Sequence, residues 1–140
     1  LHAERFEMSD TVTHIKKMAF ANSNIGTFIM SAQLKNYQSD IFTGANIETM
    51  IFPEGTTDIV GQLLGKANSI TEVELPSTLE SLTSNEFTDC QGLEKITILN
   101  PNISFPDDAA LPENVVIYGF NGSTAQEYAE SKGFAFMPIE

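Results

Sequence analysis

The chain has 140 residues, 41% of them hydrophobic, which is one domain's worth of sequence with an ordinary content of core formers. Its formal charge of −12 is uneven: −2 over residues 1–70 and −10 over residues 71–140. Nucleic acids and anionic membrane surfaces both demand clustered cations, so neither is an expected partner, and no apolar run approaches the roughly 18 residues of a membrane span.

The first residues, LHAERFEM, hold neither an initiator Met nor a basic segment followed by an apolar one, so no signal peptide is read there. Phe6 and Met8 instead open a pattern that recurs down the chain. It reads apolar, two variable residues, apolar, one variable residue, apolar: Ile25-Phe28-Met30, Ile47-Met50-Phe52, Ile70-Val73-Leu75 and Leu93-Ile96-Ile98. The first members lie 22, 23 and 23 residues apart. Between these strands runs a second pattern with spacing three then five: Val12-Ile15-Phe20, Leu34-Tyr37-Phe42, Thr56-Ile59-Leu64 and Leu79-Leu82-Phe87. Two registers that agree across four units predict a solenoid. A short strand cannot bury its inward face alone, but equivalent strands of successive coils stack into one parallel sheet over one core. Asn22, Asn24, Asn46 and Asn68 fall just before the strands, where side-chain amides satisfy turning backbone groups.

The strand pattern resembles the leucine-rich repeat core, L-x-x-L-x-L. It is more closely similar to the BspA-like subclass, in which the strand is followed by IP-x-x-V-x-x-I-x-x-x-A-F-x-x-C-x-x-L. VELPSTLESLTSNEFTDCQGL matches that closely, and DTVTHIKKMAFANSNI matches its second half. The resemblance covers roughly residues 6–118 and departs in the third unit, where Thr56 replaces an apolar residue and GQLLGK stands in the usual AF region. It implies an α/β solenoid: a right-handed superhelix of about five coils with one parallel sheet of short strands and a C-terminal capping helix. It further implies a secreted or cell-surface bacterial protein whose array adheres to host proteins or other cells.

The only cysteine, Cys90, excludes an internal disulfide and a CxxC metal site. It takes the cysteine position of the BspA-like pattern, and its counterparts in earlier units are near Ser23, Ala45 and Ala67, all small. A small residue facing the coil interior is the expectation, with His2 and His14 three or more coils away and no base for a catalytic thiol.

After Ile98 the pattern shortens. Apolar pairs at Val115-Ile117 and Phe134-Phe136 follow Ile96 at intervals of 19 residues, across the Pro- and Asp-rich leg NPNISFPDDAALPENV. GSTAQEYAESKGF predicts a short helix capped by Ser123 with Gln126 completing a capping box, Gly133 at C′, and Ala125, Tyr128 and Ala129 facing inward. Residues 1–118 are therefore read as repeats and residues 119–140 as a cap on the same solenoid. AERFEM begins inside a coil and nothing comparable covers that end, so the chain reads as part of a longer protein, or as an N-terminal edge where two copies associate.

Chemical motifs are sparse. GQLLGKA, residues 61–67, has three residues between its glycines where a P-loop has four, and Ala67 where Ser/Thr binds Mg²⁺, so nucleotide binding is rejected. Asp107 and Asp108, with carbonyls of Asn100 or Asn102, are the one conceivable calcium site, without EF-hand spacing. Glu72 and Glu74 suit acid–base work only inside a pocket that raises one pKa. Asn102 and Asn121 head short glycosylation sequons. No catalytic residue, cofactor or metal is expected, and the chain is not read as an enzyme.

The surface singled out is the outward side of the sheet. The residue between the second and third apolar positions points out on every strand, giving Glu7, Ile29, Ile51, Glu74, Thr97 and Val116, flanked by Thr27, Thr49, Glu72 and Lys95. This row is the expected interaction face for an extracellular protein or cell-surface ligand, with Ile29 and Ile51 as apolar anchors. The alternative is a structural spacer that presents a neighbouring domain.

Overall fold

The structure is a computed structural model and describes residues 1–59 and 63–140. In chain order the elements are β1 (His2–Glu7), β2 (His14–Ile15), β3 (Asn24–Ile29), β4 (Asn36–Tyr37), β5 (Asn46–Ile51), β6 (Glu72–Leu75), β7 (Lys95–Ile98), β8 (Val116–Gly119), α1 (Thr124–Lys132) and β9 (Ala135–Pro138). Seven strands form one parallel sheet in the order β1-β3-β5-β6-β7-β8-β9, while β2 and β4 pair on the return leg. The repeat length is the register of the ladder: Asn24 pairs with Asn46, Ile25 with Ile47, Val73 with Ile96. The solenoid makes about six turns, one more than the sequence pattern indicates.

One interval departs from expectation. Ile96 pairs with Ile117, not with Val115, so the fifth interval is 21 residues and only the last is 19. Val115 and Ile117 are both buried, at 1% and 0% exposure. A slip of two residues keeps every apolar side chain on the same face, so a period-two pattern alone does not distinguish the two registers.

The two sequence registers converge on one core. Strand residues such as Phe28, Met50, Val73 and Ile96 meet return-leg residues such as Phe42, Leu64 and Phe87, all buried. At the N-terminal end the aromatics interlock: Phe28 lies edge-on to Phe20 and Phe42, with ring centroids at 4.8 and 5.4 Å. Each such fully buried side chain contributes about 2 kcal/mol of hydrophobic stabilisation. Thr56, the residue that broke the apolar pattern, is 4% exposed and sits in this core with no hydrogen-bond partner for its hydroxyl among the described residues.

The turn before each strand repeats as faithfully. The N–H groups of Ser23, Ala45, Ala67 and Cys90 donate to the carbonyls of Phe20, Phe42, Leu64 and Phe87 at 3.2, 2.9, 3.0 and 3.0 Å. These four small residues are buried, as their spacing predicts. The residue ahead of each of the first three is left-handed: Asn22, Gly44 and Lys66 have φ of 57, 69 and 65°. At Gly44 the conformation is one that glycine adopts freely, and a Cβ there would collide with Oδ1 of Asn22. Asn24 and Asn46, which the structure places at the first position of β3 and β5 and not ahead of them, form a rung of their own, Asn46 Nδ2 donating to Asn24 Oδ1 at 3.4 Å.

The helix near the C-terminal end is bounded as its capping residues predict. Ser123 Oγ accepts from the Gln126 N–H at 3.2 Å, and Gln126 Oε1 accepts from the N–H of Gly122 at 2.8 Å, one residue ahead of the standard capping-box donor. Gly133, at φ 81°, ends α1 in the left-handed conformation, and Ala125, Tyr128 and Ala129 are its buried face. Beyond α1 the chain returns to the sheet as β9, pairing with β8.

Candidate interaction face

The outward face carries two rows of side chains. Hydrogen-bond register sets Glu7, Ile29, Ile51, Glu74, Thr97, Tyr118 and Met137 side by side in the first, and Arg5, Thr27, Thr49, Glu72, Lys95, Val116 and Ala135 in the second. Five of the six expected residues thus share a row. Val116 does not: it pairs with Lys95 in the second row, and Tyr118 takes its place beside Thr97. The cause is the same two-residue slip that displaced Ile117.

Burial corrects a second expectation. Ile29 is only 6% exposed and so is not a free apolar anchor, while Ile51 is half-buried. Ile29 stands mid-row between Glu7 and Ile51, with Thr27 two residues back on its own strand, and these neighbours shield it. Glu7 and Glu72 are exposed, and Glu74, Thr97, Lys95 and Tyr118 are half-buried. The best-formed feature here is one that sequence reading missed: Lys95 Nζ lies 4.4 Å from the centre of the Tyr118 ring. The correct register of β8 would have revealed the pair.

Away from this face, the titratable groups form no reactive arrangement among the described residues. Cys90 is fully buried, and burial pushes its thiol up to about 12, with the negative charge of Asp89 adding to the effect. That disfavours the thiolate a nucleophile requires. His14 lies in β2, within hydrogen-bond distance of Thr13 Oγ1 (2.8 Å) and Asn36 Nδ2 (3.2 Å), on the return leg of the first coil. Asp107 and Asp108 are exposed, the Asn100 side chain is engaged with the Leu79 carbonyl and the Asn102 N–H, and no cluster of three His, Cys, Asp or Glu side chains suited to a metal occurs among the described residues.

Of the GQLLGKA stretch, Gly61 and Gln62 lie outside the described residues; Leu63, Leu64 and Ala67 are core. Lys66 turns to Asp40 on the preceding coil at 2.7 Å, and the hydrogen bond between them lowers the carboxyl's pKa and raises the ammonium's. One large concavity, about 470 Å³, is an open groove bounded by Phe87, Thr88, Gln91, Leu111 and Glu113. Glu113 is the only titratable side chain in its lining, so no acid–base pair converges there.

A stack of parallel strands with a core shared between coils, one short helix near the C-terminus and a broad outer face defines a leucine-rich-repeat solenoid. The BspA type leucine-rich repeat family matches residues 2–111 in six copies, and the chain belongs to that family. Its members are generally protein-interaction modules associated with bacterial surfaces, and their fold is typically a non-catalytic scaffold. No curated protein and no solved structure matches the chain. No helix among the described residues is long and apolar enough to cross a membrane.

Proposed function

We propose that the chain is a non-enzymatic binding module of a secreted or cell-surface bacterial protein and that it adheres to an extracellular protein or cell-surface ligand through the outward face of the sheet. The observation that carries this reading is the face itself. Tyr118 and Lys95 are held ring to ammonium beside Thr97, with the carboxylates of Glu72 and Glu74 on the adjoining strand. Tyrosine is enriched at protein interfaces, the charges around it supply complementarity to a partner, and the strands beneath keep the spacing rigid. Family membership supports the interaction role and the surface location.

The test is adhesion of mammalian cells and extracellular-matrix proteins to the immobilised chain. Wild type is compared with Tyr118→Ala plus Lys95→Glu on the outward face, and with a control on the return leg, Lys17→Glu plus Lys35→Glu. The reading predicts that the outward-face variant loses adhesion and the control keeps it. Equal retention by both, or no adhesion by wild type, refutes it.

A further inference from the structure

Of the chain's asparagines only Asn121 is followed by glycine. That pairing has a chemistry of its own. With no Cβ beside it, a glycine nitrogen meets little obstruction in attacking the carboxamide one residue back. Position 122 is open in the structure: a Cβ added there would meet nothing within 4 Å. Asn121 and Gly122 are both exposed, which admits the water that the reaction consumes.

The fold holds this pair out of reaction geometry by two means. Phe120 to Ser123 form a turn, the Ser123 N–H donating to the Phe120 carbonyl at 3.1 Å. Gly122 has φ 76° and Asn121 stays outside the left-handed region, which makes it a type II turn. Ring closure needs the Gly122 nitrogen to eclipse Cβ of Asn121 about the Cα–C bond. In a type II turn ψ of the residue before the glycine is about +120°, which swings the nitrogen about 120° away from that position. The second restraint is on the Gly122 N–H, which donates to Gln126 Oε1 at 2.8 Å and so keeps its proton. Gln126 is itself fixed, its Nε2 donating to Glu130 at 3.0 Å and its backbone N–H to Ser123 Oγ at 3.2 Å. Beyond the turn, the Thr124 N–H is pinned to the Pro101 carbonyl of the preceding coil at 3.0 Å.

We propose that Asn121-Gly122 is a latent site of self-modification, closed by the type II turn and by Gln126 and opened when the start of α1 frays. The Gly122 nitrogen then bonds to Cγ of Asn121 and the Cγ–Nδ2 bond breaks. Nδ2 leaves as ammonia, carrying the proton that the backbone nitrogen gave up through water. One water molecule then opens the five-membered imide. Opening at Cγ leaves an ordinary aspartyl residue. Opening at the backbone carbonyl leaves the chain running through Cγ, an isoaspartyl link one methylene longer. Nothing is oxidised or reduced, and water is the only co-reactant. Either product brings a carboxylate to the connection between β8 and α1, and the longer link also changes the turn from Phe120 to Ser123 on which the cap of α1 depends.

Peptide mapping by mass spectrometry, with isoaspartate assayed separately, follows the 140-residue chain during incubation at mildly alkaline pH, folded and in guanidinium chloride. In the unfolded chain Asn121 converts, with isoaspartate the larger product. In the folded chain it converts about tenfold more slowly or less. Gln126→Ala removes the acceptor and raises the folded rate about fivefold, whereas Gln126→Glu keeps an acceptor and matches wild type. Deuterium exchange at the Gly122 amide rises in Gln126→Ala while the amides of β8 stay protected, which ties the rate to this nitrogen and not to loss of the fold. The proposal is overturned by an unfolded chain that leaves Asn121 intact, by equal rates folded and unfolded, or by products without isoaspartate. A Gln126→Ala rate equal to wild type, or one raised only together with exchange throughout β8, overturns it as well.

Discussion

Phe105 and Tyr128 lie face to face, ring centroids 4.1 Å apart and planes inclined by 6°. One belongs to the irregular last return leg and the other to α1, so this contact fastens the cap to the repeats. The Tyr128 hydroxyl donates to the Ala109 carbonyl at 3.3 Å on the same leg. Tyr128→Ala is expected to cost about 3 to 5 kcal/mol by urea denaturation. A double-mutant cycle with Phe105→Ala should give a coupling of about 1 kcal/mol, and additive losses would show that the stack is not a working contact.

Thr56 is a polar atom placed in an apolar position. Its hydroxyl has no partner among the described residues, whereas its carbonyl accepts from Thr78 Oγ1 and its N–H donates to the Pro53 carbonyl. Thr56→Val keeps the shape and both backbone bonds while removing the orphan. It should stabilise the fold by about 1 kcal/mol, read as a raised denaturation midpoint at unchanged slope.

Cys90 carries a prediction in pH. Its pKa is raised by burial, so above the ordinary thiol value of about 9 the unfolded chain loses a proton that the folded chain keeps. Stability is unaffected below that value and then falls as pH rises toward about 12. The slope attributable to this thiol approaches about 1.4 kcal/mol per pH unit. Subtracting the curve of Cys90→Ala isolates it. The native thiol should also react with an aromatic disulfide reagent only after unfolding.

Gly26 is needed for close approach. A Cβ added there would lie 2.7 Å from the Glu4 carbonyl oxygen, which is backbone and cannot swing aside. Gly26→Ala should cost about 1 to 3 kcal/mol by forcing β1 away from β3. Hydrogen exchange localises the effect. The amides of Asn24 and Met8, bonded to Leu1 and Ile29 across that seam, should exchange faster while those of α1 stay protected.

Much of the architecture can be read from the chain, because a solenoid writes its three-dimensional neighbours at a fixed distance along the sequence. Ile25 and Ile47 announce their contact by spacing, and Ser23, Ala45, Ala67 and Cys90 announce a shared turn. The cap of α1 is equally visible, since Ser123, Gln126 and Gly133 act locally. Two things were not visible. The register of β8 depended on how many residues the irregular leg 100–114 consumes, and period-two alternation tolerates the two-residue error that exchanged Tyr118 for Val116. The burial of Ile29 depends on neighbours drawn from other coils, which a single strand does not encode.

The turn hydrogen bonds of Ser23, Ala45, Ala67 and Cys90 are each made within one coil, and the strand pairing of each coil engages only the coils on either side. A whole coil can therefore be duplicated or deleted in the middle of the array without rewriting its ends. The span of the molecule is then set by copy number, and point mutation is left to alter the chemistry of its surface. Length and recognition become separately heritable traits.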